Sequence, residues 1–322
     1  MNPLISVIIP LFNKEPHILR SINSVLKQTF QKFEIVIIDD GSTDNGPEMV
    51  KKINDSRIKL IQQINSGVSV ARNRGIQNIN TDFITFLDAD DEWTPNHLQI
   101  LFNLQKTYPG AGAYVTSYSR CNSKGIIRKM NNKYIEKYPW EGIIPDYFRA
   151  ATEEDPPVCS SSVGIPKYVF SEIGMFLEGE PMGEDLDMWG RIAIKYSIAF
   201  SWRGESKVYV DAVNRSGLTK VLNPNLPFIN SGKKAIERGE VHETMINEVS
   251  EYISYLQLGI AYHFLLRDDS DSAAKILKEC KTNTYKIQKN LLFLFSRLPI
   301  ISFKIFRGIN KLILWCWNKE CN

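Results

Sequence analysis

The sequence predicts an α/β protein, a doubly wound, mostly parallel sheet followed by a C-terminal helical region. Two observations carry that expectation. Four short apolar runs, ISVIIP (5–10), FEIVIIDD (33–40), IKLIQQ (58–63) and FITFL (83–87), lack the polar alternation of a half-exposed strand. Continuous Val/Ile-rich runs are what strands covered on both faces require. Helix-like pieces lie between them, and strands alternating with helices argue for parallel pairing through crossovers.

Taken in order, ISVIIP is stopped by Pro10, and the next segment places Ile18, Ile22, Val25 and Leu26 on one helical face. Further helix-like pieces fall near residues 48–53 and 70–79. After about residue 105 the pattern loosens. PGAGAYVTSYS holds one more strand, and the charged, proline-containing stretch 120–157 reads as loops and short helices. EDLDMWGRIAIKYS (184–197) opens with acids and continues with Leu186, Trp189, Ile192 and Ala193 at helical spacing. Residues 206–210 make a short late strand. Residues 230–280 read as helical, with two helices joined at Arg267–Asp271.

The chain has 322 residues, enough for one large domain or two smaller ones. Its formal charge of +3 hides an asymmetry. No acidic residue occurs between Glu279 and Glu320, while Lys281, Lys286, Lys289, Arg297, Lys304, Arg307, Lys311 and Lys319 do; without those eight, 31 basic residues face 36 acidic ones. A mildly acidic body therefore carries a basic, apolar tail. The five cysteines are odd in number and scattered, which suggests neither a disulfide framework nor a zinc site and suits a reducing compartment. The N-terminus lacks a basic leader region, and no run of 18 uncharged apolar residues appears, so neither a signal peptide nor a clean membrane span is expected.

Acidic residues collect where strands end. FLDADD sets Asp88, Asp90 and Asp91 directly after a buried run, and IIDDGSTD sets Asp39 and Asp40 after another. In parallel sheets ligands bind outside the carboxyl ends of the strands, so both clusters belong to one rim. A solvated capping turn would account for DADD; so would a site for Mg²⁺ or Mn²⁺, which take hard oxygen ligands, typically one or two carboxylates completed by phosphate and water. IIDDGSTD reads as strand, turn and helix capped by Ser42 or Thr43. A carboxylate there can also accept a hydrogen bond from a base ring N–H, with Gly41 leaving backbone room. NSGVSVARNRG brings Gly67 before a helix with Arg72 and Arg74. It is either an ordinary capped helix or a helix start near phosphate, with Arg72 offsetting the acids. GEDLDMW is either an acidic first turn favoured by the helix dipole or the seat of a general base flanked by Met188 and Trp189. No GxGxxG follows a strand and no GxxxxGK[ST] occurs, which removes the dinucleotide-binding and P-loop readings.

The ordered set SVIIPLFN, IIDDGSTD, NSGVSVARNRG, FLDADD and GEDLDMW, with SSSVGIPKYVFSEIGMF before the last, resembles the family 2 inverting glycosyltransferases of GT-A fold over about residues 4–220. The resemblance implies that Pro10, Phe12 and Asn13 line a nucleotide pocket, with Phe12 where tyrosine is more usual. It implies that Asp40 takes the N3–H of a pyrimidine ring, that Gly67 and Arg72 lie on the donor side, and that Asp88 and Asp90 form the D-x-D pair holding Mn²⁺ or Mg²⁺. Asp185 matches the catalytic base, Glu184 supports it, and Asp187 and Trp189 stand on the acceptor side. The donor is a nucleotide-diphosphate sugar, a UDP-sugar favoured, and the acceptor a glycan or lipid-linked hydroxyl. Many relatives carry a histidine in a Tyr-Arg-x-His-x-x-Ser pattern after the late strand; VYVDAVNRSGLT has none, so a third ligand is not assigned.

A nucleotidyltransferase on a similar sheet would bring a Gly/Arg/Lys-rich phosphate loop after the first strand, which PLFNKEP does not supply. A silent binding module has no need of both DADD and GEDLD. In LLFLFSRLPIISFKIFRGINKLILWCW (291–317) the residues Arg297, Lys304, Arg307 and Lys311 fall on one helical face, with Ile305 and Ile309 opposite. A helix packed on the protein's own core would fit, and so would one lying on an anionic membrane. The aliphatic load exceeds what base stacking uses, so no nucleic-acid partner is expected. The organisation expected is a catalytic domain over 1–225 (nucleotide-sugar half about 1–105, acceptor half about 106–225), a helical hairpin region over 226–285, and a membrane-associating tail over 286–322 acting through 288–317. The expected location is cytoplasmic, at the inner face of the cell membrane.

Overall fold

The structure, a computed structural model, describes residues 2–213 and 226–298. In chain order the N-terminal half runs β1 (Ile5–Leu11), α1 (Ile18–Leu26), β2 (Phe33–Asp39), α2 (Gly46–Lys51), β3 (Ile58–Gln62), α3 (Val68–Gln77), β4 (Phe83–Phe86), β5 (Glu92–Trp93) and α4 (His97–Thr107). It continues through β6 (Ala113–Asn122), β7 (Gly125–Lys129), β8 (Glu141–Ile143), α5 (Tyr147–Ala151), β9 (Val163–Pro166), α6 (Lys167–Ile173), α7 (Glu184–Lys195) and β10 (Ile198–Tyr209). Four helices follow: α8 (Pro227–Glu237), α9 (Ile246–Leu266), α10 (Ser270–Glu279) and α11 (Lys286–Phe295).

The strands form one sheet in the order β3-β2-β1-β4-β9-β6-β10-β5, with β7 beside β6 and β8 beside β10. β1 pairs in parallel with both β2 and β4, and β2 in parallel with β3. β9 is reversed, antiparallel to β4 and β6, while β10 again runs parallel to β6. Successive side chains of β1 supply opposite faces. Ile5, Val7, Ile9 and Leu11 join α1 and α4 in one core cluster, and Ile8 joins α3 and α7 in the other. Both faces are covered, which is why the run carries no polar alternation. From β1 the chain steps outward to β2 and β3, then returns to β4 on β1's other side. Such a reversal opens a crevice at the carboxyl ends of the two central strands. The loops after β1, β2 and β4 share that rim.

Several features differ from the sequence expectation, among them β7 and β8, which fall in the stretch 120–157 read as loops and short helices. Residues 97–107 form α4, burying Leu98, Leu101 and Leu104 although the run carries polar residues between them. The late strand is longer than 206–210. It starts at Ile198, pairs with β6, and shifts register between Ser201 and Ser206, so its polar middle hid one continuous element. The reversed β9 was not expected either. It lies close under β4, where a Cβ on Gly164 would stand 2.5 Å from the Phe83 ring.

The helical hairpin forms as expected, with α9 and α10 joined through a turn in which the Asp269 side chain accepts from Ser272 N. Phe228, Ile229, Tyr252 and Ile253 of α8 and α9 belong to the same core cluster as Met188 and Trp189 of α7, so the core continues across residue 225. α11 buries Leu292 and Phe295 in a third cluster with α9 and α10, so the start of the expected tail is packed against the protein. The rest of the tail, residues 299–322, lies outside the described residues. Among the described residues no helix is long and apolar enough to cross a membrane.

Candidate active site

The loop after β2 is built around two buried carboxylates. Asp39 accepts from Ser42 N at 2.9 Å and from Gln62 Nε2 at 2.9 Å. Asp40 accepts three hydrogen bonds: from Gln63 Nε2 at 2.7 Å and Ser66 N at 2.8 Å on Oδ1, and from Gly67 N at 2.8 Å on Oδ2. Asp40 thus shapes the loop leading into α3. A carboxylate has about four acceptor positions, so one on Oδ2 remains. Gly41 is required beside it. Its φ is +75°, and a Cβ there would lie 2.8 Å from Asn65 N. Asn13, at φ 51°, ties the β1 loop to this one, donating its N–H to Ser42 Oγ and accepting from Thr43 N at 2.8 Å. Phe12 is exposed beside it, and Pro10 lies within β1 opposite Ile38.

The loop after β4 carries the D-x-D pair. Asp88 N donates to Ser161 Oγ, and its carboxylate receives Arg72 Nη2 at 3.1 Å. Asp90 receives the Lys14 ammonium at 2.6 Å. Asp91 belongs to the frame rather than the rim. It is buried, accepts from Ser161 Oγ at 2.6 Å and from Tyr209 N at 3.0 Å, and so fastens this loop to β10. Burial raises the Asp91 carboxyl well above its ordinary range, and the charges of Asp90 and Asp88 add to the shift. Asp88 is also raised, first by burial, with Arg72 opposing and Asp90 reinforcing.

Arg72 joins the two halves of the site. Only 3% exposed, it donates through Nη1 to Glu184 Oε1 at 3.1 Å and through Nη2 to Asp88 and Ser160 Oγ, and it lies over the Phe176 ring. Burial disfavours its charge, but Asp88, Glu184 and Asp185 outweigh this and raise its pKa. Asp185, in the first turn of α7, takes its neighbour Leu186 N–H on Oδ1 at 2.8 Å. Its carboxyl is pushed up to about 7, by burial first and by Glu184 second; Arg72 and the Leu186 N–H oppose this, and Asp88 adds to it. A carboxylate poised near neutrality is suited to proton transfer.

Two residues expected on the acceptor side lie in the interior instead. Asp187 is fully buried, bonds Arg191 Nε at 2.7 Å and accepts from Ser231 Oγ on α8. Two positions along a helix is a turn of about 200°, which carries Asp187 away from the face that presents Asp185. Trp189 lies one turn deeper, 1% exposed and edge-on to Phe176 at 6.0 Å. Lys14, Ser160 and Ser161 were not singled out from sequence. A lysine just past a strand invites notice in an acidic body, but its partner lies 76 positions away.

Residues 6–174 match the sequence model of Glycosyl transferase family 2. The chain belongs to this family. It is 31% identical over 295 residues to an uncharacterized glycosyltransferase of Rickettsia conorii, covering 90% of this chain and 46% of that protein. It is 41% identical over 127 residues to the UDP-Glc:alpha-D-GlcNAc-diphosphoundecaprenol beta-1,3-glucosyltransferase WfgD of Escherichia coli, 39% of this chain and 50% of that one. The chain thus spans half or less of the length of these curated relatives. Among solved structures, residues 1–349 of S. aureus TarS in complex with UDP-GlcNAc superpose with a TM-score of 0.67 at 18% identity, over 87% of this chain and 82% of that one. The α/β, GT-A type fold expected from sequence is the fold observed.

Proposed function

We propose that this family 2 member is an inverting glycosyltransferase, moving a sugar from a nucleotide-diphosphate donor, a UDP-sugar favoured, to a hydroxyl of a glycan or lipid-linked acceptor. The observation that carries the reading is the joining of two acidic sites through one buried side chain. Arg72 spans from Asp88, on the strand rim, to Glu184, beside Asp185. The names of relatives agree with it: WfgD is named for a UDP-Glc donor and a diphosphoundecaprenol acceptor, and TarS is seen with UDP-GlcNAc.

The nucleotide would sit against Pro10, Phe12 and Asn13, with the open acceptor position of Asp40 Oδ2 facing a ring N–H and the Gly67 loop closing its edge. Asp88 and Asp90 would hold Mn²⁺ or Mg²⁺. Among the described residues no group of three metal-ligating side chains occurs. A hard-oxygen pair nonetheless fits an ion that completes its shell with phosphate oxygens and water. When bound, the ion supplies charge to offset the leaving diphosphate. Asp185 then has one task. With Oδ1 held by the Leu186 N–H, Oδ2 takes the proton of the acceptor hydroxyl. The acceptor oxygen bonds to the anomeric carbon from the face opposite the leaving group. The bond from that carbon to the diphosphate oxygen breaks, its electron pair leaves with the nucleotide, and the configuration inverts.

The protein would work at the inner face of the cell membrane, with the part of the tail beyond Leu298 on anionic lipid. The test of the function is hydrolysis and transfer across a panel of nucleotide sugars with Mn²⁺. The expected result is release of UDP from one or a few UDP-sugars, lost in Asp185→Asn when an acceptor is supplied. Transfer by Asp185→Asn at the wild-type rate, or retention of anomeric configuration in the product, would overturn the reading.

A further inference from the structure

Among the described residues, two cations bond the carboxylates of Asp88 and Asp90, and they are held very differently. Arg72 is buried and also bonds Glu184 and Ser160, so its position follows from the fold. Lys14 reaches in from the loop after β1 on a flexible stem, and its side chain retains 12% exposure. Its ammonium lies 2.6 Å from Asp90 Oδ2 and 2.8 Å from the Val213 carbonyl oxygen, bridging the D-x-D loop to the end of the β10 segment. Arg20 donates to the Asp90 backbone carbonyl, and His17 Nε2 accepts from Val213 N at 3.4 Å, so α1 and its approach line this side of the site with basic groups.

We infer that Lys14 is the resident counter-ion of Asp90, a positioning residue that competes with the divalent ion until the donor diphosphate arrives. The inference rests on the metal reading of Asp88 and Asp90. An ammonium at 2.6 Å already neutralises Asp90, and its charge opposes a divalent ion approaching the same carboxylate. Metal alone therefore binds against Lys14 or displaces it, whereas metal with a nucleoside diphosphate offers the ammonium a new anionic partner. A compact point charge on a rotatable stem suits such an exchange better than the locked guanidinium of Arg72. Lys14 thereby couples metal binding to nucleotide binding. If only about a tenth of the protein has Asp90 released at any moment, the apparent metal affinity falls about tenfold, equivalent to about 1.4 kcal/mol.

The probe is Mn²⁺, followed by the electron-paramagnetic signal of the free ion, in full-length wild type, Lys14→Met and Lys14→Arg, with and without UDP. Lys14→Met is expected to bind Mn²⁺ without nucleotide about tenfold more tightly than wild type, and to show a smaller gain when UDP is added. Lys14→Arg keeps the charge and should stay near wild type. Lys14→Gln serves as the neutral variant if circular dichroism shows Lys14→Met misfolded. Equal or weaker Mn²⁺ binding in the folded neutral variants, beside wild-type binding that is measurable, overturns the inference and leaves the metal reading standing. Absence of Mn²⁺ binding in every protein, with UDP present, overturns both.

Discussion

Asp185 sits where two demands on one carboxyl conflict. Burial and Glu184 push its pKa to about 7, far above the value near 3.9 of an unfolded chain. The folded state therefore binds more protons than the unfolded state between about pH 4 and 7, and stability falls as pH rises through that window. Asp185→Asn removes the penalty. In chelator, its stability at pH 8 should equal or exceed wild type's, while transfer drops by about 10²- to 10⁴-fold, the usual cost of losing a general base. Denaturant melts at pH 5 and pH 8 beside single-turnover transfer check both halves. The acid limb of kcat/KM should fall near pH 7 and move to lower pH in Glu184→Gln, because Glu184 is one of the causes of the rise. Asp90→Ala tests another residue of the rim. It should remove the metal-dependent part of UDP binding in calorimetry while leaving the melting curve close to wild type, since its carboxylate is not core packing. The rim acids Asp39, Asp40, Asp88 and Asp90 were legible in sequence because strand ends announce them, and Glu184 and Asp185 because they open a helix of apolar spacing. Arg72 beside them was legible as a cation set against the acids, but its reach was not. That Arg72 would also meet Glu184, 112 positions away, follows from α3 and α7 sharing one core cluster, not from any local pattern.

At the scale of elements, α7 is the part whose placement the proposed reaction depends on. Its acidic first turn faces the site only because its opposite side is pinned. Asp187 bonds Arg191, whose guanidinium in turn donates to the carbonyls of Ile173 and Met175, and Ser231 brings in α8. Losing one partner of a buried pair leaves the other unpaired, so Asp187→Ala should cost about 3 kcal/mol in a denaturant titration. Gly190 sets the spacing on the same side, for a Cβ there would stand 2.1 Å from Cε2 of the fully buried Phe228 ring. Gly190→Ala should force α7 and α8 apart and destabilise by about 1–3 kcal/mol, with transfer falling beyond what the lost stability explains. The sequence marked α7 by its acids and apolar spacing. It could not tell the face that serves chemistry from the one that serves packing, because Asp185 and Asp187 are the same residue type two positions apart. α4 and the long β10 escaped notice for a related reason: some of the polar residues within them, His97, Ser201 and Ser206, are buried against other elements. His97, for one, is buried, stacks on Trp93 and bonds the Gly204 carbonyl.

Charge is distributed unevenly along the chain, with acids clustered at the sheet's carboxyl rim and a basic C-terminal stretch that holds no acid between Glu279 and Glu320. α11 is where that stretch begins, and it has two sides. Leu292 and Phe295 turn inward, while Ile287 and Leu294, seven positions apart along the helix, and Leu298 beyond its end stay 71%, 53% and 40% exposed. The sequence showed the asymmetry of charge but could not show where packing ends, since Leu292 and Leu294 look alike until α9 and α10 cover one of them. A chain ending at Leu298 keeps the packed turns and should fold with an unchanged catalytic cleft, hydrolysing donor at the full-length rate. The full-length protein should float with vesicles containing anionic lipid, and the shortened one much less. Each of Lys304, Arg307 and Lys311 near an anionic surface is worth about 1 kcal/mol, a share that fades as salt shortens the screening length. The apolar share does not fade, so high salt should weaken flotation of the full-length protein without abolishing it. Flotation that is lost completely in salt would mean that charge alone holds the protein. Equal flotation of the two chains would move the contact to the exposed apolar residues of α11, where Ile287→Asp and Leu294→Asp should then release it.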